Sequence, residues 1–313
     1  MQLFLVLLGA TLGLIYGYNT DGFIFSSKIC LFAGLTLIMP SLFNVKLADV
    51  TLVWEYKIVL IKGLVLNYII LPLFAVGIGL LTQNFGIAAG LFLLSVLSGG
   101  GMVMHWIKKS GADTSLGFLI LLINLLFVSL SLLMLHQFGL YTSEYFGESY
   151  ADQVNIANFA QAVLMLLVVV PFLLSRVILF VKPLVKLIQE QRSKISSGSI
   201  FIILFYLFGL QNSQLLFNIY EFEPELIVIS LAAVFAFYFL ILVTARLVYD
   251  LNSPQERAAF WHSVTRYITL ALVISTFSIN TFGIAMILPI MFAYLIQIPF
   301  AIFIDKKLAV IKK

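Results

Sequence analysis

Hydrophobic positions in this chain fall in long unbroken stretches rather than in short alternating runs. They cover about ten segments: 2–18, 22–43, 58–82, 86–107, 115–138, 157–180, 199–219, 225–249, 258–280 and 283–304. A helix rises about 1.5 Å per residue, so about 20 residues cross a hydrocarbon core about 30 Å thick. Most of the segments reach that length. A membrane strand would need a polar residue at every second position. The segments lack that period. The pattern predicts an all-α membrane protein with about ten transmembrane helices.

The polar remainder sets the orientation. With ten spans, both termini and the even-numbered connections share one side. Every Lys and Arg except Lys28, Lys62 and Arg266 falls on that side, from Lys46 to Lys313. The opposite connections contain no Lys or Arg but hold acids, among them Asp21, Glu144, Glu148, Asp152 and Glu223. The positive-inside rule then puts both termini in the cytoplasm. The longest connections, about 139–156 and 181–198, flank the sixth span. Residues 1–156 and 157–313 thus form two five-helix halves. Five is odd, so the halves have opposite membrane orientation, the arrangement of inverted-repeat transporters. The first stretch has no Lys or Arg before it and no cleavage-like small residues after it, and so reads as a membrane helix rather than a signal peptide.

Composition narrows the function. The chain is 62% hydrophobic and 10% charged, against about 25% charged in soluble domains. The net charge of +4 is explained by topology and gives no nucleic-acid signal. A single cysteine, Cys30, excludes an internal disulfide and a cysteine-built metal site. No phosphate loop, metal spacing or nucleophile motif occurs, and the spans carry no carboxylate or histidine pair suited to acid–base work.

Interruptions within the spans carry the candidate chemistry. Ser98-Gly99-Gly100-Gly101 lies in the middle of the fourth span. Each glycine costs roughly 1 kcal/mol in a helix, and in lipid any freed backbone group needs a partner inside the protein. The run predicts an unwound segment whose amides and carbonyls face a solute, in place of close helix packing. Arg266 lies in the ninth span, roughly 12 Å deep, where charge costs about 2.5–3.5 kcal/mol. It predicts a cavity, a partner or an anion, unless the side chain snorkels or binds carbonyls; for Lys28 and Lys62, snorkelling is the better reading. No Asp or Glu lies well inside any span. His105 and His262 are the groups near these spans that titrate around neutral pH. Asn67, Asn124 and Gln297 are lone amides in apolar helices, which either join helices or line a polar path.

Several of these residues resemble a known superfamily. Met102-Val103 through Trp106, then Asp113, Leu116 and Ile123-Asn124, is similar to the fourth and fifth helices of arsenite efflux permeases. Asn67-Tyr68 with Leu71-Pro72 resembles their third helix, and Leu295-Ile296-Gln297-Ile298-Pro299 their tenth. The same frame resembles the bile acid:sodium symporter family. The resemblance implies a panel domain and a core domain, with broken fourth and ninth helices crossing at the substrate site and alternating access between states. Departures bear on the cargo. Gly99 stands where arsenite permeases carry a thiol, and Gln297 where they carry Glu. Val103-Met104 stands at the Ser-Asn pair of the sodium symporters, and Phe260 near their ninth-helix Glu. Asn67 retains one amide of that ion site. The ninth span holds neither Gly nor Pro.

These readings give a secondary active transporter in the cytoplasmic (inner) membrane, not an enzyme, moving a small solute, with an organic anion favoured by Arg266. Ser98, Gly99, Gly100, Gly101, Arg266 and Gln297 are the expected substrate contacts. Asn67, His105, His262, Ser263 and Thr265 are the expected ion-coupling residues, for H+ or Na+. No other cofactor, no metal and no nucleic-acid partner is expected, and the chain is read as a monomer or homodimer. An auxin-efflux-carrier or malate-permease relative, or a non-transporting sensor or scaffold of the same fold, is the alternative.

Overall fold

A computed structural model describes residues 2–24, 26, 28–43, 52–100, 102–150, 165–210 and 224–311. Gly101 therefore lies outside the described residues. The secondary structure there is helical, apart from two isolated bridges, Phe23 to Leu210 and Ser98 to Arg266. Three described helices are long and apolar enough to cross a membrane: Lys57–Leu81, Glu225–Val248 and Ile287–Lys307. The pair Thr114–Leu126 and Val128–Phe146, bent by 47°, adds a fourth if it is one span.

The chain divides into two compact units that each draw on both sequence halves. One holds Met1–Asn44 and Gln161–Leu226, the other Val45–Ala160 and Ile227–Lys313. In the first unit, Gln2–Asn19 packs along Arg192–Phe208. A Cβ at Gly13 would stand 2.5 Å from the Phe205 carbonyl, so the small residues Gly9 and Gly13 set the approach. Arg176 donates to the Leu42 carbonyl at 2.9 Å, tying Val170–Ile178 to Met39–Leu42.

The second unit encloses two short helices. Every residue of Phe85–Val96 is buried. In Pro254–Val264, every residue from Arg257 onward is buried. Phe85–Val96, apolar on nearly all sides, belongs in an interior, whereas Pro254–Val264 buries Arg257, His262 and Ser263 against hydrogen-bond partners. Around them, Leu73, Val228, Phe235 and Phe239 stand more than half exposed on the long helices, as lipid-facing residues do. Asn84 caps Phe85–Val96 by accepting from the Ile87 amide, and Ser253 caps Pro254–Val264 by accepting from the Glu256 amide. Arg257 then fixes the surrounding loops, donating to the carbonyls of Leu251, Asn252 and Ser110.

Candidate functional site: two broken helices and the cleft beside them

Phe85–Val96 ends at Leu97, and the next helix, Val103–Ser110, starts six residues on. Pro254–Val264 ends at Thr265, and Ile268–Phe282 follows. The two gaps cross as an antiparallel bridge between Ser98 and Arg266. The hydrogen bonds are reciprocal. Gly99 N–H donates to the Thr265 carbonyl at 2.9 Å and to the His262 carbonyl at 3.0 Å, and Tyr267 N–H donates to the Leu97 carbonyl at 3.0 Å. Each gap thus supplies partners to the other at a buried position.

Glycine is required at the crossing. Gly99 has φ +66°, and a Cβ there would collide with Nδ1 of His262. A Cβ at Gly100 would stand 3.0 Å from the Arg266 carbonyl.

Diverting these amides leaves two helix-end carbonyls without their normal partners. In an intact helix, Gly99 N–H would close on the Ser95 carbonyl, and Tyr267 N–H on the Ser263 carbonyl. Both carbonyls are instead taken by the Arg266 side chain. Its Nη1 donates to Ser95 O at 3.1 Å, and its Nη2 donates to Ser263 O and, at 2.8 Å, to Asn67 Oδ1. Arg266 is 1% exposed, and its Nε has no partner among the described residues. Gln297 clamps the Arg266 backbone. Its Oε1 accepts from Arg266 N–H at 2.6 Å and from the Tyr238 hydroxyl at 2.8 Å, and its Nε2 donates to the Arg266 carbonyl at 3.4 Å.

A second network runs from Ser98. Its hydroxyl donates to the His262 carbonyl at 2.8 Å and accepts from Asn124 Nδ2 at 3.2 Å. His262 Nε2 lies 2.8 Å from the Gly117 carbonyl, so that nitrogen carries the proton, because a carbonyl can only accept. Nδ1 is then free to accept from Asn124 at 3.4 Å. The imidazole is in its neutral Nε2–H form.

Beside the crossing lies a cleft of about 340 Å³, within the range of small-molecule sites. Its walls are apolar, including Leu60, Leu64, Ile120 and Phe127. Its polar lining residues are Lys57, Asn67, Asn124 and His262. Lys57 is exposed, and no carboxylate lines the cleft among the described residues. Asn67 faces the cleft and also accepts from Arg266. Arg266 itself does not line it.

Ser98, Gly99, Gly100, Arg266 and Gln297 therefore meet at one crossing, and so do Asn67, His262, Ser263 and Thr265. His105 stands apart. It is exposed on Val103–Ser110, with its ring against Trp106 at 5.2 Å. Lys62 pairs with Glu256 at 2.8 Å. Three participants carry no sequence signal of their own. Ser95 contributes a backbone carbonyl, and two tyrosines contribute hydroxyls: Tyr238 from within Pro224–Val248, and Tyr249, just past the end of that helix, meeting Ser263 Oγ at 3.1 Å.

A family model described as the Sodium Bile acid symporter family matches residues 31–216, more than half of the chain. The chain belongs to this family. Members are transporters of bile acids or other small solutes coupled to sodium, which makes the chain a multi-pass membrane protein of a transporter family. The match takes in the break at Ser98–Gly100, whereas Arg266 and its helix lie beyond it. Comparison with curated proteins yields no match.

Proposed function

We propose that this family member is a secondary active transporter of a small organic anion, working by alternating access across the cytoplasmic membrane. One observation carries the reading: a cleft of about 340 Å³ abuts a crossing of two broken helices, and its charged and polar lining favours negative charge. Lys57 supplies a cation at an exposed position, and Asn67, Asn124 and His262 supply hydrogen-bonding groups among apolar walls. Behind Asn67 stands the buried charge of Arg266. An anionic head beside Asn67 is stabilised by that charge through a low-dielectric interior without touching it, while an apolar body contacts Leu60, Leu64 and Phe127.

Ten spans in two inverted halves remain the topology we favour. The reciprocal bonding of Leu97–Gly99 with Thr265–Tyr267 supports it, since equivalent positions in the two halves play equivalent parts.

Purified protein in liposomes tests the reading with a panel of labelled monocarboxylates and dicarboxylates and their uncharged amides. Saturable uptake of an anion, excluded for its amide, is the expected result, and Lys57→Ala should raise KM severalfold while protein yield is unchanged. Equal uptake of the amide would overturn the anion preference. Flux no greater than in empty liposomes across the panel would overturn transport itself.

A further inference from the structure

We propose that Arg266 is a tethered cation occupying the position where a coupling ion would bind, so that this chain works without sodium. The inference rests on the transporter reading above. Its starting point is the pair of carbonyls set free by the crossing. Ser95 O and Ser263 O lie in the last turns of Phe85–Val96 and Pro254–Val264, so each sits at the negative end of a helix dipole. Freed carbonyls at the ends of broken helices are the groups with which transporters of this construction hold a coupling cation. Asn67 Oδ1 is the third hard oxygen there. One guanidinium, not an open space, stands among the three, with Nη1 on Ser95 O and Nη2 on Ser263 O and Asn67 Oδ1.

Charge leads to the same conclusion. No Asp or Glu contacts the guanidinium among the described residues, so its positive charge is balanced by dipoles alone. A sodium ion entering the same oxygens would meet an unscreened like charge in a buried, low-dielectric setting. It would also have to displace charge-assisted hydrogen bonds that Arg266 makes at no cost in binding entropy, because the cation is covalently attached. The oxygens that would make a sodium site are thus already spent, in a member of a family named for sodium coupling.

The test uses sodium itself as the probe and needs no substrate. The purified full chain should melt at the same temperature in sodium, potassium and choline chloride, and should retain no saturable ²²Na+. Arg266→Ala vacates the three oxygens. Sodium should then raise its melting temperature above that in choline, and dilute methylguanidinium should do the same, whereas Arg266→Lys should stay indifferent to sodium. Saturable ²²Na+ binding or sodium-selective stabilisation of the unaltered chain would overturn the proposal. So would a folded Arg266→Ala protein that responds to neither cation. If that variant does not fold, the measurements on the unaltered chain decide alone. Failure of anion flux in liposomes would sink the transport reading and leave these cation readouts as they are.

Discussion

Gly99 shows how much one missing side chain carries. Its amide bridges two carbonyls of the opposite helix, its φ is positive, and His262 occupies the space a Cβ would need. Gly99→Ala is expected to cost about 2 kcal/mol or more, from backbone strain and overpacking together. Gly100→Ala has ordinary backbone angles and a 3.0 Å contact to relieve, and should cost less. Melting curves in detergent check the order, and equal losses would contradict it. Similar weighing separates two neighbouring cations. Lys62 is partly exposed in its pair with Glu256, and such pairs contribute about 0–1 kcal/mol. Arg257 is buried and holds carbonyls from two loops. Arg257→Ala should lower stability by about 2 kcal/mol or more, and Lys62→Ala by less than half of that. The glycine run and Arg266 were legible in the sequence because each is expensive in a lipid-bound helix. The identity of the guanidinium's partners was not, since two of the three are backbone oxygens that any residue offers.

Breaks and bends along the helices follow two separate causes. Among the described residues, three helices widen into a single π turn: Gly34–Ile38, Leu66–Ile70 and Met165–Val169. Each is followed two residues later by proline, at Pro40, Pro72 and Pro171. Proline lacks the N–H that would bond the preceding turn, and its ring crowds that turn's carbonyl, so the ladder slips by one residue. In the second case the slip includes Asn67, the residue shared by the cleft and Arg266. Pro72→Ala should close the ladder, hold or raise the melting temperature, and cut transport by rotating Asn67 away. Unaltered flux would show that the slip has no functional role. The prolines were visible in the sequence, but the π turns could not be read from them alone, because Pro299 sits inside an unbroken α-helix. The break at Thr265–Tyr267 was implied by the family resemblance alone, because that span holds neither Gly nor Pro. It opens because the opposite gap supplies replacement partners, a tertiary cause with no local signature.

For the whole molecule, the division into units cuts across the sequence halves. Residues 1–44 join 161–226, and 45–160 join 227–313, which hydrophobic counting alone does not foretell. Orientation is a different matter, because the charges that set it are plain in the sequence. Exposed Trp54 and Phe180 lie near the lysine-bearing connections, and exposed Tyr141 lies near the acidic ones, as expected of aromatic residues at the two membrane surfaces. A fluorescent protein fused after Lys313 should therefore light up in cells, and alkaline phosphatase fused there should stay inactive. The reverse pattern would invert the topology.

The mutual pairing at Ser98 and Arg266 also constrains how the protein is made. Ser98 and the carbonyl it binds on His262 are 164 residues apart in the chain. At ribosomal speeds of about 5–20 residues per second, the first gap waits on the order of ten seconds or longer for its counterpart to be synthesised. Until then its bare amides have no mate and cannot rest against lipid. The nascent fourth segment must be sheltered meanwhile, by the insertion machinery or by water. A ribosome stalled between the two would leave the first gap without the carbonyls it pairs with.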